Sequence, residues 1–220
     1  MQPVLDVRGV MVGGSQVPNL LEPNAASTLV VSQDVDLVVP VDSHDEVREV
    51  LSHVSGYEPS TTEPSVWLPD DPVCLEINFI GRDPKLRESA DSYVLDDARL
   101  PLLVFGLLGF LREGMTVETE GVRVRLPRPA GLLVEKLLTE RTGLKGERDL
   151  LVALGLLLHS GAADLTEFAK LYEELPHDSQ TLLLSSLAVL SRLRPQSGMP
   201  DPEHGRERVD ELLARLQSMP

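Results

Sequence analysis

Cysteine is nearly absent from this 220-residue chain: Cys74 stands alone, so no internal disulfide can form and a reducing compartment is expected. Aromatic residues are scarce at 4%, too few for the stacking platforms that hold single-stranded nucleic acid. Bases are outnumbered, 20 against 35 acids. The net charge of −15 excludes broad, sequence-independent nucleic-acid binding, which draws its affinity from Lys and Arg on phosphates. Long hydrophobic runs are missing too; the longest, around 102–111 and 150–158, reach about half of a membrane span. No cationic-then-apolar leader is read at the start. A soluble, cytoplasmic protein with no membrane association is the expectation.

What is present is enough apolar material, 42%, to build a core in one domain or two small ones. The charge is unevenly spread. Residues 1–110 carry a net of −12 and residues 150–220 a net of −4, whereas residues 111–149 come to +1. Groups that handle phosphate are therefore sought in the middle stretch.

The first half reads as mixed α/β. A β-branched run over 7–12 ends in Gly13-Gly14-Ser15, a strand and a turn, and a valine-rich strand follows over 30–39. Ser43 and Glu46 have capping-box spacing, with Val47, Val50, Leu51 and Val54 behind them at helical intervals. Residues 56–72 hold four prolines and read as a loop, with Trp67 covering a sheet edge. A third strand over 73–80 puts Leu75, Ile77 and Phe79 on one face and Cys74, Glu76 and Asn78 on the other. Strands over 116–119 and 122–126 meet at Glu120-Gly121, a hairpin. Helical spacing then predicts helices over 130–142, 145–160, 165–175, 179–193 and 203–218, with a second capping box at Asp164–Glu167 and a linker over 195–202. The expected fold class is α+β: a small mixed sheet with helices in a domain over 1–128, then a helical bundle over 129–220.

Asp34-Val35-Asp36 lies inside a strand, so its two carboxylates share a face about 7 Å apart. Neighbouring carboxylates repel unless a divalent cation offsets them. Glu76, mid-strand between Leu75 and Ile77, turns to the polar face, and three carboxylates from two strands are a ligand set for a pair of Mg²⁺ ions. The plainer reading is a solvated face of an antiparallel sheet. Gly13-Gly14-Ser15 lets backbone approach a ligand and sets Ser15 to cap a short helix, or it is an ordinary turn. It is neither a Walker A loop nor G-x-G-x-x-G. The five histidines show no zinc spacing; His159 closes an apolar helix. Cys74 reads as a buried structural thiol.

In order, these parts resemble the nucleotidyltransferase superfamily related to DNA polymerase beta, and within it the AbiEii-type toxin-like nucleotidyltransferases of bacteria. The resemblance runs from about Val10 to Leu158. It rests on Met11-Val12-Gly13-Gly14-Ser15, Ser32-Gln33-Asp34-Val35-Asp36-Leu37 and Leu75-Glu76-Ile77-Asn78-Phe79-Ile80. Downstream it takes in Val124-Arg125-Leu126-Pro127-Arg128-Pro129, Leu133-Val134-Glu135-Lys136-Leu137, then Arg141, Lys145 and Arg148-Asp149-Leu150. The chain departs from the pattern in the long insert between Ser15 and Asp34, in Val152 where an acid often stands, and in Glu76 where Asp is commoner.

The resemblance implies an enzyme that transfers a nucleoside monophosphate from a nucleoside triphosphate to a hydroxyl acceptor. By that likeness Asp34, Asp36 and Glu76 hold two Mg²⁺ ions, and Glu76 alternatively takes the acceptor proton. Gly13, Gly14 and Ser15 grip the terminal phosphates, with Lys136 and Lys145 as counter-charges. The acceptor is left open between a small molecule, a protein and RNA, and an antitoxin protein is an implied partner. A non-catalytic binding or regulatory protein of the same fold is the alternative.

Overall fold

The computed structural model describes residues 1–21, 34–139, 143–195 and 201–219, without the side chains of 144 and 145. Its contacts divide the chain into two compact units: Met1–Gln16 with Ser32–Pro127, and Val17–Val31 with Arg128–Pro220.

In the first unit the chain opens with a short helix α1 (Gln2–Asp6), with a proline in its first turn, and strand β1 is confined to Met11–Val12. The strand expected over 7–12 is cut short because Gly9, at φ +79°, turns the chain and the Val10 amide closes onto the Val7 carbonyl. Helix α2 (Gln16–Leu21) follows the glycine turn and, from Val17 on, is counted with the second unit. Strand β2 (Asp34–Pro40) is the valine-rich strand; the rest of its expected span lies outside the described residues. It runs antiparallel to β1 and parallel to β5 (Glu76–Arg82), with Asp34 opposite Glu76 and Asp36 opposite Asn78.

The loop expected over 56–72 holds two strands instead, β3 (Tyr57–Pro59) and β4 (Val66–Pro69). Prolines survive there because Pro59 and Pro69 close the strands, and β3 is an edge that needs donors on one side only. Trp67 is core, 8% exposed, with its ring edge-on to Phe79 at 6.1 Å. Cys74 is exposed in the turn ahead of β5, so the buried-thiol expectation fails: β5 begins two residues after it. Strands β6 (Tyr93–Leu95) and β7 (Leu102–Val104) complete the sheet. Strand β5 is its organiser. One side pairs with β2 throughout, and the other pairs first with β4 and then, from Ile80, with β7. Leu37, Val38 and Val39 are all buried, as expected where a parallel pair is covered on both faces.

Helix α3 (His44–Leu51) begins from a 3-10 turn, which leaves Ser43 at φ −106°, ψ 3° rather than extended. The expected capping box therefore does not form, and the Ser43 hydroxyl donates to the Arg8 carbonyl at 3.0 Å. The helix is anchored elsewhere. Arg48 donates to Asp97, whose other oxygen accepts the Arg99 and Leu100 amides at 2.8 and 3.0 Å. Led by the Arg99 amide, these donors hold the Asp97 carboxyl well below the usual range, to about 2, against the opposing cost of partial burial. A separate hairpin, β8 (Glu113–Thr119) and β9 (Val122–Pro127), turns at Glu120 and Gly121, both at positive φ. Arg125 on β9 donates to the Val7 and Val10 carbonyls at 2.9 and 3.0 Å and fixes the turn after α1.

The second unit holds five further helices among the described residues: α4 (Pro129–Leu138), α5 (Gly143–His159), α6 (Ala162–Glu173), α7 (His177–Leu190) and α8 (Arg206–Gln217). Helix α4 is apolar all round apart from Glu135 and Lys136 and is buried from Ala130 to Leu138, packed by α5, α6 and α7. Helix α6 begins three residues earlier than expected, because Asp164 serves as its third residue and accepts the Gly161 amide at 2.9 Å. Of the expected linker over 195–202, residues 196–200 lie outside the described residues. The α+β class stands: a mixed sheet, then helices.

Candidate functional site

The parallel register of β2 and β5 decides which polar side chains meet. Asp34 and Asp36 share a face of β2, and Glu76 and Asn78 share the matching face of β5. Both aspartates and Asn78 are half-buried, while Glu76 is exposed at the strand's start. The Asn78 side-chain nitrogen donates to Asp34 Oδ2 at 2.8 Å and reaches Asp36 Oδ1 at 3.4 Å. A neutral amide has two N–H groups on one nitrogen, so it serves two anions at once. On the other flank of β2 the Gly13 backbone amide donates to the Asp36 carbonyl at 2.8 Å, and the Gln16 side-chain nitrogen, Nε2, reaches the Asp34 carbonyl at 3.5 Å.

Gly14 explains the glycine turn. Its φ is +64°, and the space a side chain would fill is taken by the Asp36 carboxylate, whose Cγ would stand 3.0 Å from an added Cβ. Only glycine lets the turn and this carboxylate lie together. Ser15 is half-buried immediately before α2.

Among the described residues, no three His, Cys, Asp or Glu side chains converge so as to hold a metal ion. The structure brings Asp34 and Asp36 together with Asn78, and leaves Glu76, although opposite Asp34 in the register, on the exposed rim. Mg²⁺ is commonly held by one or two carboxylates, with water and substrate phosphates supplying the other oxygens. The aspartate pair fits one such ion; a second would call on Glu76.

Lys136 belongs to the helical unit. Its side chain is 7% exposed, with Nζ 3.2 Å from Glu135 Oε2 and 3.4 Å from Asp149 Oδ1. Thr139 adds a hydroxyl donor to Glu135 Oε1 at 3.1 Å. The ammonium thus sits between two carboxylates, one on its own helix and one on α5. It also lines a cleft of about 540 Å³ with Thr139, Glu147, Ser185 and Ser186. The Lys145 side chain and Arg141 lie outside the described residues.

Sequence reasoning placed Asn78 on the polar face of its strand but gave it no role, and passed over Gln16. For Asn78 the signal was available: it stands two residues from Glu76, and its amide faces whatever the adjacent strand presents.

No family model matches the chain, and no curated protein matches it. Among solved structures it is similar to an antigenic nucleotidyltransferase-like protein from Paracoccidioides brasiliensis, at 18% identity over 79% of this chain and 83% of that one, with a TM-score of 0.40. It is also similar to the antibiotic-resistance factor ANT(2'')-Ia, at 14% identity over 98% of this chain and 86% of that one, with a TM-score of 0.34. Both likenesses are remote.

Proposed function

We propose that the protein is a Mg²⁺-dependent nucleotidyltransferase that moves a nucleoside monophosphate from a nucleoside triphosphate to a hydroxyl acceptor. The observation that supports this best is the seating of the Asp36 carboxylate against Gly14, which joins the D-x-D strand to the Gly-Gly-Ser turn. A turn that only reversed the chain would need no room for a carboxylate.

In this reading Asp34 and Asp36 hold the cation, and Glu76 on the rim either completes a second position or takes the acceptor's proton. Bound there, Mg²⁺ supplies charge neutralisation for the triphosphate and activation of the attacking oxygen. Gly13, Gly14 and Ser15 offer backbone and hydroxyl donors to the terminal phosphates, and Lys136 and Lys145 are the proposed counter-charges. The resemblance to AbiEii-type proteins supports a toxin-like role with an antitoxin partner in a bacterial cytoplasm. No helix among the described residues is long and apolar enough to cross a membrane. The net charge of −15 favours a small-molecule or protein acceptor over a large RNA.

A second reading keeps the fold without turnover, as a nucleotide-binding or regulatory module. Asn78 favours it, because a neutral amide stands opposite Asp36 and, among the described residues, no third acid converges there.

Incubation with α-labelled nucleoside triphosphates, Mg²⁺ and a cell extract separates the two. Label on an acceptor supports the enzyme; stabilisation by nucleotide with no transfer supports the module. Nucleotide with Mg²⁺ is expected to raise the melting temperature, and Asp36→Ala to abolish the rise. If no nucleotide moves the melting temperature at any Mg²⁺ concentration, both readings fail.

A further inference from the structure

We infer that Asn78 is a positioning residue of this site: its amide clamps Asp34 and Asp36 into one acceptor pair, and it sets how tightly that pair takes a divalent cation. The inference rests on the proposed cation-binding role of the two aspartates. The geometry is specific. Asn78 stands opposite Asp36 in the parallel register, and one nitrogen reaches an oxygen of each carboxylate, at 2.8 and 3.4 Å. Half-buried carboxylates two residues apart on a strand repel, and a shared donor offsets that repulsion without adding charge. An alanine there would remove the shared donor; an acid would make the site a third carboxylate.

These two changes are expected to move cation affinity in opposite directions: the alanine reads what the amide contributes, and the acid reads whether position 78 faces the cation. A group that orients metal ligands through hydrogen bonds typically changes affinity by about 10- to 100-fold when removed. Asn78→Ala is therefore expected to weaken Mn²⁺ binding by about tenfold or more. Asn78→Asp, nearly the same shape, is expected to tighten it while lowering the melting temperature in EDTA, because three acids then face one another with no cation among them.

The test is titration of the full chain with MnCl₂ by calorimetry, alongside melting curves in EDTA. Equal Mn²⁺ affinity in the wild type and Asn78→Ala, or no tightening in Asn78→Asp, overturns the inference. Should the wild type bind no divalent cation, the cation-binding reading falls, and the clamp is judged in EDTA alone. There the melting loss caused by Asn78→Ala should shrink at least by half in an Asp34→Asn background, since one repelling charge is gone. The same loss in both backgrounds sinks the clamp as well.

Discussion

The two units treat charge in opposite ways. In the sheet unit, Asp34 and Asp36 stay half-buried beside a neutral amide and a glycine turn, within reach of solvent. In the helical unit, Lys136 is shut between Glu135 and Asp149, with all three side chains at most 11% exposed. A charge left near solvent can exchange its partner for a ligand at small cost. A charge buried against fixed partners exchanges them for a ligand only at a larger cost, which the proposed counter-charge role of Lys136 would have to meet.

The largest effect should come from breaking the buried set. Lys136→Met is expected to lower unfolding free energy by about 3–5 kcal/mol, read by denaturant titration, because two buried carboxylates lose their common cation. Loss of activity in that variant is informative only beside this stability measurement. Next comes the glycine turn. Gly14→Ala adds a clash with the Asp36 carboxylate to a positive φ, and is expected to remove the nucleotide-dependent rise in melting temperature. Gly121→Ala meets the same backbone constraint at φ +78° in open space, and should cost only about 1–2 kcal/mol with ligand response intact.

The smallest effect concerns a half-buried pair, Arg48 and Asp97. The Asp97 carboxyl is held at about 2 in the folded state, so it contributes stability above its unfolded value near 3.8. That contribution is lost as pH falls through 2. Melting of Asp97→Asn should therefore lie below wild type at pH 5 and converge with it toward pH 2. A constant gap across that range would show that the carboxylate's charge is not what anchors α3.

Period and turn chemistry made some of this legible in the sequence. Asp34 and Asp36 share a face because strand side chains alternate, and Glu120-Gly121 turns the hairpin because both adopt positive φ. Helix positions in the second half followed from apolar spacing, with ends moved by a few residues. Partner choice was not legible. That β2 lies parallel to β5, and so sets Asn78 against Asp36, is fixed by packing between residues 42 positions apart. Asp149 opposite Lys136 depends likewise on how α5 lies on α4. The strands in the proline-rich segment were missed because Pro59 and Pro69 read as breakers, although an edge tolerates them.

The position of β5 carries a last consequence, for the order of events as the chain folds. It must gather β2, β4 and β7, which lie on both sides of it in sequence, before any complete sheet exists. Each closure orders a loop before contacts reward it, so such non-local sheets assemble slowly, over roughly milliseconds to seconds. Asp34, Asp36 and Asn78 reach one another only when the β2–β5 pairing closes. A fluorescence probe on that cluster should therefore report assembly late, after the local β8–β9 hairpin has formed.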